Sequence, residues 1–364
     1  MSGRVIVVGS LNIDLVSRTP ILPKAGETVT GSSFSQFFGG KGANVSVAAA
    51  RVAGRSCLIG AVGDDLFGSS YIAQLKSANV DTSGILIASG MATGTANIFV
   101  AAASGENMIV VVPNANERCT ARWVEGALKL HGPDDIVCAV LEVPVEAVTF
   151  AFHAARKVNS KTLLVPAPVP RDAAAIRALP WGLTDYLVCN QHELALLANA
   201  LSEIEELKSV TTTETDALSP PIPESPLTVT ESLLEAPDIP AGIKSSQFMI
   251  LKNAGVKQGI VVTLGSAGAI VFDAHSPRFA RVFAPRVESI DATGAGDAFA
   301  GALAVSLLRM IPLTEAANFA TRYAAVTVTR AGAQASYPLA DMPGLWSGAA
   351  PVKKSTSVGL GGGI

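Results

Sequence analysis

One stretch of the sequence combines small residues, an acidic residue and a helix-like run in a way that suits chemistry on an anion. Residues 289–302, SIDATGAGDAFAGA, pass from a turn rich in glycine and alanine into a long run of Ala, Leu and Phe, the pattern of a loop that opens directly into a helix. Small residues let backbone N–H groups approach a ligand, and the helix dipole favours an anion at the N-terminus. The apolar residues before the stretch predict a strand leading into it.

Asp297 places a carboxylate at this predicted anion-binding turn. Charge alone would disfavour a carboxylate beside a negative transition state, and a base that takes a proton from an attacking hydroxyl explains the residue better. The alternative is an aspartate that caps a helix after a glycine-rich turn. The stretch by itself leaves both interpretations open.

A second glycine-rich stretch lies near the N-terminus. Residues 38–44, FGGKGAN, precede a strongly helical run over residues 45–52. The pattern GxxxxGK[ST] is absent and Lys41 is followed by glycine, so this is not a Walker A phosphate loop. It is still a glycine-rich entry to a helix, with Lys41 and Asn44 as polar residues at the entry.

Polar residues follow several short apolar runs, at the points where buried strands would end. The first run is VIVV at residues 5–8, and later runs end near residues 141 and 189. In open α/β sheets, ligands bind just beyond the carboxyl ends of the strands. The polar residues at these ends are Asn12, Asp14, Glu142, Asn190 and Glu193.

The order of the apolar runs predicts the fold class. From about residue 121 to residue 190, helix-like and strand-like runs alternate, which indicates a parallel sheet covered by helices on both faces. Residues 20–38 alternate polar and apolar types, and residues 93–112 are strand-rich with a turn at residues 104–107. These two segments predict short antiparallel strands outside the main sheet of an α/β protein.

Composition excludes several classes of function. The chain has 364 residues, a net charge of −3 and 49% hydrophobic residues. A nucleic-acid surface needs clustered Lys and Arg, which this balance argues against. No apolar run is long enough for a signal peptide or a membrane span. The cysteines lack metal-binding spacing and indicate buried, reduced thiols in a cytoplasmic protein: Cys57, Cys119, Cys138 and Cys189.

The chain is predicted to form one catalytic domain over residues 1–346. Residues 199–245 interrupt the pattern with many Pro, Ser, Thr and Glu residues, which predicts a flexible insertion that takes no part in catalysis. Residues 347–364 are rich in Gly, Ser and Lys and are predicted to be a disordered tail.

Eight motifs in a fixed order carry a resemblance to a known family. They are GSLNID (9–14), PKAGET (23–28), GGKGAN (39–44), GDD (63–65), NQHE (190–193), TLGSAG (263–268), DATGAGD (291–297) and TRAGAQ (329–334). In this order the sequence resembles the ribokinase-like (PfkB) carbohydrate kinases over about residues 4–345, without the insertion. The resemblance implies a three-layer α/β fold with a mostly parallel central sheet and a small β-sheet lid from about residues 14–38 and 94–113.

The activity that the resemblance implies is transfer of the γ-phosphoryl group of ATP to the 5-hydroxyl of D-ribose. Asp297 would be the base, and the backbone of Gly294, Ala295 and Gly296 would form the anion hole. Phosphoryl transfer needs mostly positioning and charge stabilisation, so this combination is chemically sufficient. The implied sugar ligands, besides Asp297, are Asn12, Asp14, Gly40, Lys41, Gly42, Asn44 and Glu142; their alternative roles are turn capping and, for Lys41, simple exposure.

The resemblance also implies a nucleotide site with Mg²⁺. Its residues would be Asn190, Glu193, Thr263, Leu264, Gly265, Ser266, Gly268, Gly296 and Thr321. Thr321 stands where many relatives have Asn or His. Asn190 and Glu193 would order Mg²⁺ and phosphate through water, but a helix N-cap with a carboxylate three residues later explains the pair equally well.

A monovalent cation, K⁺, is implied beside the anion hole, where it would help to align that turn. The matching positions are Asp291, Thr293, Thr327, Arg330, Gly332 and Ser336. The lid would cover the sugar and exclude water, so that ATP is not hydrolysed instead. Lids of such kinases commonly pair, and exposed sheet edges favour pairing, so a homodimer is expected.

Other functions fit the sequence less well. Within the same family the alternatives are fructokinase, deoxyribokinase, and adenosine or pseudouridine kinase; the scarcity of aromatic residues argues against a nucleoside, whose base would favour stacking. A sugar-binding sensor without activity would be expected to have lost Asp297 or the glycine turn. A dinucleotide-dependent dehydrogenase is disfavoured because no GxGxxG follows the first strand.

Overall fold

The computed structural model describes residues 3–53, 55–102, 104–130, 132–211, 240, 242–275, 278–339 and 353–354. Within these residues the strands are β1 (Val5–Val8), β2 (Asn12–Thr19), β3 (Ser33–Gly39), β4 (Ser56–Gly63), β5 (Val80–Ala88), β6 (Gly94–Ala101), β7 (Asn107–Val112), β8 (Ile136–Val140), β9 (Lys161–Val165), β10 (Tyr186–Asn190), β11 (Gly259–Thr263), β12 (Ala269–Asp273), β13 (Arg278–Val282) and β14 (Lys353–Lys354). The helices are α1 (Lys41–Ala53), α2 (Leu66–Ser77), α3 (Ala121–Ala127), α4 (Val145–Lys157), α5 (Ala173–Arg177), α6 (Gln191–Thr211), α7 (Ser245–Ala254), α8 (Ala295–Leu308) and α9 (Leu313–Thr327).

The central sheet has the strand order β14-β13-β12-β11-β10-β9-β8-β1-β4-β5. Every pairing from β5 across to β11 is parallel, while β12, β13 and β14 add antiparallel strands at one edge. The prediction of an α/β fold with a mostly parallel central sheet is confirmed.

Strand β1 shows why the apolar runs of this sequence form buried strands. Val5 and Val7 pack into a core with α1, α2, α8 and α9, whereas Ile6 and Val8 pack into a second core with helices α3 to α7. Because successive side chains of a strand point to opposite faces, a strand covered on both sides needs apolar residues at every position. The result is the three-layer arrangement that the sequence predicted.

The second sheet is small and has the order β3-β2-β6-β7. The lid prediction is confirmed as a separate sheet, but two details were wrong. Strands β2 and β6 pair in parallel, so the sheet is mixed. Residues 20–32 form no strand; Pro20 and Pro23 lack the N–H that a ladder needs, and the N–H of Glu27 closes a turn on the carbonyl of Lys24 at 2.9 Å.

Two other segments differ from the prediction. The strand predicted to lead directly into residue 289 does not form. Strand β13 ends at Val282, and residues 283–290, which include Pro285, are irregular. Helix α6 extends to Thr211, so the first part of the predicted insertion is helical; residues 212–239 lie outside the described residues. In the predicted tail, Lys353 and Lys354 pair with β13, and the remainder from residue 355 also lies outside the described residues.

The four cysteines are buried and free, as predicted. In the described part of the chain, no helix has the length and apolar character that crossing a membrane requires.

Candidate active site

The turn that begins α8 has the geometry that its glycines predicted. Gly294 caps the helix with φ 74°, a left-handed conformation that favours glycine. A Cβ atom there would also lie 2.6 Å from the hydroxyl of Tyr337, which donates to the carbonyl of Gly294 at 2.9 Å. The first N–H groups of a helix have no acceptor within it. The N–H of Ala295 donates to the carbonyl of Ala292 at 3.2 Å, so Gly296 is the residue of this turn whose N–H can meet an anion.

Asp297 lies in the first turn of α8 and is only 9% exposed. Its Oδ2 accepts a hydrogen bond from Nδ2 of Asn44 at 2.8 Å. Burial raises the pKa of the Asp297 carboxyl, while the charge of Lys41 and the bond from Asn44 oppose the rise. A buried carboxylate with a raised pKa is suited to accept a proton.

Helix α1 brings the second glycine-rich stretch to the same place. Gly42 packs against the end of β1 so closely that a Cβ atom would lie 2.4 Å from the carbonyl carbon of Gly9. This contact lets Glu142, which follows β8, accept hydrogen bonds at Oε2 from the N–H of Lys41 at 2.9 Å and from the hydroxyl of Ser10. The first turn of α1 is thus held at the carboxyl ends of β1 and β8.

Four carboxylates act on the charge of the Lys41 ammonium group. Asp297 makes the largest contribution to raising the pKa of Lys41, and Glu142, Glu193 and Asp14 add to it against the effect of burial. Burial, followed by the charges of Glu142 and Asp297, raises the pKa of Asp14 to about 7 against the opposing charge of Lys41. Asp14, Lys41 and Glu142, the charged residues predicted to bind the sugar, therefore form a polar cluster next to Asp297.

The orientation of Asn12 depends on a residue that the sequence did not identify. Nδ2 of Asn116 donates to Oδ1 of Asn12 at 2.8 Å and to the carbonyl of Leu11 at 3.1 Å, and its Oδ1 accepts the N–H of Leu11 at 2.9 Å. Asn116 thereby fixes the start of β2 and the side-chain orientation of Asn12. It belongs to none of the eight motifs, so nothing in its local sequence singled it out.

A cavity of about 510 Å³ opens on the other side of the α8 turn. Six of the predicted nucleotide residues line it: Thr263, Gly265, Ser266, Gly268, Gly296 and Thr321. Leu264 does not line it, because its side chain packs partly against the core beneath α5 to α7. The hydroxyl of Thr321 donates to the carbonyl of Ala317 at 2.8 Å, so its proton is not available to a ligand and its oxygen can only accept.

The six residues predicted for a monovalent cation lie in the turn before α8 and the loop at the end of α9. The carboxylate of Asp291 joins them, since it accepts the N–H of Thr293 at 2.9 Å and the N–H of Gly332 at 2.8 Å. Burial alone would raise the pKa of Asp291, but these hydrogen bonds outweigh it and lower the pKa. Backbone carbonyls and hydroxyls of this region, including those of Thr327 and Ser336, are oxygen donors of the type that hard cations take.

The chain is similar to proteins of a known family. The chain matches the pfkB family of carbohydrate kinases over residues 2–217 and 240–340. This protein belongs to that family. It is 33% identical over 341 residues to a ribokinase of Schizosaccharomyces pombe, covering 92% of this chain and 94% of the relative, and 30% identical over 338 residues to a deoxyribokinase of Salmonella typhimurium, covering 92% and 95%.

A solved structure shares the fold of this pfkB-family chain. The ribokinase of Cryptococcus neoformans, determined in complex with ADP, is 27% identical, with a TM-score of 0.71 over 93% of this chain and 98% of that one. The family match omits residues 218–239, a shorter stretch than the insertion predicted from composition.

Asn190 and Glu193 make the local contact that was the alternative to a magnesium role. The N–H of Asn190 donates to Oε2 of Glu193 at 2.8 Å, and the N–H of Glu193 donates to Oδ1 of Asn190 at 2.8 Å, which forms a capping box at the start of α6. Neither residue lines the 510 Å³ cavity. Glu193 still acts on Lys41, whose pKa its charge helps to raise. A role in ordering Mg²⁺ stays a prediction.

Proposed function

We propose that this pfkB-family kinase transfers the γ-phosphoryl group of ATP to the 5-hydroxyl of D-ribose. The observation that carries the proposal is the placement of Asp297 between two compartments. Ala295 and Gly296, in the same helical turn, line the 510 Å³ cavity, whereas Asp297 bonds Asn44 on the side of the polar cluster. A base at this boundary can meet a hydroxyl from one side and a phosphoryl group from the other.

The reaction follows from the charges of the site. The Asp297 carboxylate takes the proton of the attacking hydroxyl, and the N–H of Gly296 together with the positive end of the α8 dipole stabilises charge on the transferred phosphoryl group. Lys41 holds positive charge next to the base, which keeps a fraction of the buried carboxylate ionised. The small sheet over the polar cluster excludes water when sugar is bound.

Ribose is favoured by the polar cluster and by similarity. The carboxylates of Asp14 and Glu142 accept hydrogen bonds from sugar hydroxyls, and the side-chain amide of Asn12 can both donate and accept them. A nucleoside base would favour an unoccupied aromatic face, but Phe38 beside the cluster already packs on Tyr71, with ring centroids 4.9 Å apart. The relative named deoxyribokinase at 30% identity makes 2-deoxyribose the second candidate.

A coupled ADP-release assay with ribose, 2-deoxyribose, fructose and adenosine tests the proposal. We expect kcat/KM for ribose to exceed that of each other acceptor by at least about tenfold, since one lost hydroxyl contact is worth about 1.4 kcal/mol or more. Phosphorus–carbon coupling in the product spectrum should place the phosphate on C5. A preference for 2-deoxyribose would favour the second candidate, and activity with none of the four would contradict both.

We propose that Mg²⁺ and K⁺ support the reaction. When bound with ATP, Mg²⁺ neutralises phosphate charge, and Asn190 and Glu193 would orient it through water. The set proposed to hold K⁺ is Asp291, Thr293, Thr327, Arg330, Gly332 and Ser336. The fit rests on the Asp291 contacts, which already bring the two loops together at the start of α8.

We further propose a cytoplasmic homodimer. Strand β7 is the edge of the small sheet, and its side chains from Met108 to Val112 are exposed although all are apolar. An exposed apolar edge strand is a template for pairing with a second copy. The free, buried cysteines suit a reducing compartment such as the cytoplasm.

A further inference from the structure

A chain of buried polar side chains lies under the site and ends at Asp297. Nδ2 of Asn44 donates to Asp297 at 2.8 Å, and Oδ1 of Asn44 accepts from Nε2 of Gln334 at 3.1 Å. The same Nε2 donates to the hydroxyl of Tyr71 at 2.8 Å, and Tyr71 donates to the carbonyl of Gly39 at the end of β3. Gln334 is 3% exposed, and although it is the last residue of the TRAGAQ motif, the sequence assigned it no role.

The hydrogen-bond directions along this chain are fixed. Tyr71 uses its only proton on Gly39, so its oxygen must accept from Gln334. Both N–H groups of Nε2 are then engaged, one with Tyr71 and one with Asn44. The partner oxygen, Oε1 of Gln334, is buried without a hydrogen bond among the described residues.

The opposite orientation of the Gln334 amide would give Oε1 a hydrogen-bond partner, but it would remove the donor that Asn44 now has. Rotated by 180°, Gln334 would present Oε1 to Oδ1 of Asn44, two acceptors in contact. Asn44 would then have to rotate as well, and its oxygen would face the carboxylate of Asp297. The unsatisfied Oε1 is therefore the consequence of an arrangement that keeps an N–H directed at Asp297.

We propose that Gln334 is a positioning residue for the catalytic base, which orients the Asn44 amide so that it donates to Asp297. This inference depends on the proposed role of Asp297, but not on which sugar is the acceptor. Gln334 follows Gly332 by two residues, and Gly332 donates to Asp291 at 2.8 Å. The base is thus connected to the loop proposed to hold K⁺ and, through Tyr71, to the end of the lid strand β3.

The orientation matters for the pKa of Asp297. Burial raises this pKa and the charges of Glu142 and Glu193 add to the rise, while the charge of Lys41 and the hydrogen bond from Asn44 lower it. Without an orienting donor, the Asn44 amide is free to turn its oxygen to the carboxylate. Asp297 would then hold its proton to higher pH and would be a base in a smaller fraction of molecules.

The test compares Gln334→Met, which keeps the shape and removes the donor, with Ser306→Ala. Ser306 is a buried residue of α8 whose hydroxyl donates to the carbonyl of Ala302 at 3.0 Å and which has no link to Asp297. We expect Gln334→Met to lower kcat about tenfold and to move the acid limb of the kcat–pH profile up by about half to one pH unit, while KM for ATP stays within about twofold. Ser306→Ala should leave the acid limb in place. If the acid limb of the kcat–pH profile is unshifted in Gln334→Met, the proposal is overturned, whatever fraction of the variant is folded.

A double variant tests whether Gln334 acts through Asn44. Added to Asn44→Ala, Gln334→Met should change kcat by less than about twofold, because its effect needs the amide that has gone. If the kcat losses of the two single variants multiply in the double variant, Gln334 does not act through Asn44.

A carboxyl ¹³C NMR titration of the sugar-free protein separates this inference from the proposed function. The Asp297 resonance, assigned by its absence in Asp297→Asn, should titrate at higher pH in Gln334→Met than in wild type, whatever the substrate is. If ribose is not a substrate but this shift occurs, the proposed function fails and the positioning role stands. If ribose is phosphorylated and no shift occurs, the positioning role fails alone.

Discussion

Asp291 and Gly332 are joined by a 2.8 Å hydrogen bond from the glycine N–H to the aspartate Oδ2. Asp291 precedes α8 and Gly332 follows α9, so a single carboxylate connects the predicted anion-binding turn to the loop that carries Gln334. The other oxygen, Oδ1, accepts the N–H of Thr293 within the first of these segments at 2.9 Å. Any ion held between the two segments would act on the N-terminus of α8 through this contact.

Asp291→Ala should weaken activation by K⁺. Without the carboxylate, the two loops lose the bonds that bring their oxygen donors together, so the K⁺ concentration for half-maximal rate should rise at least about tenfold, the equivalent of one or two charge-assisted hydrogen bonds. The rate is measured against KCl with choline chloride holding ionic strength constant. Asp64→Ala is the matched control, since Asp64 also accepts a backbone N–H, that of Gly90, in a loop outside the site. An equal loss in both variants would contradict the specific role of Asp291.

Asp297→Asn should abolish most turnover while the site remains formed. Removal of a general base costs about 10²- to 10⁴-fold in kcat. The new side chain keeps an oxygen for Nδ2 of Asn44, so affinity for ADP, measured by calorimetry, should stay within about twofold. Turnover close to wild type would remove Asp297 from the base role; loss of ADP binding would indicate a damaged site instead.

Asp14 should make folding stability depend on pH in a defined direction. Its pKa rises from 3.8 to about 7 on folding, first through burial and then through the charges of Glu142 and Asp297. Between these values the folded protein binds the extra proton, so the stability that Asp14 contributes is present at low pH and is lost as the pH rises through about 7. Asp14→Asn should therefore raise the melting temperature more at pH 8 than at pH 5, while KM for ribose increases.

Asp65→Asn is a control for which the pH dependence of folding stability should have the opposite sign. Burial alone would raise the pKa of Asp65, but hydrogen bonds from the hydroxyl and N–H of Thr93 and from the N–H of Gly68 outweigh it and lower the pKa. The stability that this carboxylate contributes is present at neutral pH and is lost as the medium becomes acidic. Its removal should lower the melting temperature more at pH 8 than near pH 3. A pH-independent gain in Asp14→Asn would show that the carboxyl of Asp14 does not titrate near 7.

Much of this architecture could be predicted because its causes are local. The uniformly apolar VIVV of β1 follows from burial on both faces, and the glycine at position 294 follows from a left-handed turn with no room for a Cβ atom. Such requirements leave a residue type at a fixed place in the sequence. The prediction of a strand before residue 289 was wrong because apolar composition alone does not supply the pairing partner that a strand needs.

What the sequence did not reveal depends on contacts between distant segments. Gln334 and Asn44 lie 290 positions apart, and Asn116 and Asn12 lie 104 apart. A buried amide leaves no periodic or spacing signal, because any polar residue in a loop looks the same until the fold determines its neighbours. The parallel pairing of β2 with β6 was missed for the same reason, since β3, two helices and two central strands separate these strands in the chain.

The exposed lid edge predicts the oligomeric state. Ile109 and Val110 of β7 are 53% and 58% exposed, on opposite faces of an edge strand. If two copies pair through this edge, a charge at either position is buried without a partner in the dimer, which destabilises association far more than folding. We expect Val110→Lys to convert the wild-type dimer to a 37.3 kDa monomer by light scattering coupled to size exclusion. Leu66→Lys, the same change at an exposed residue of α2 outside the small sheet, should leave the dimer intact. A wild type that is monomeric at micromolar concentration, or a dimer that both variants retain, would mean that the β7 edge is not the pairing surface.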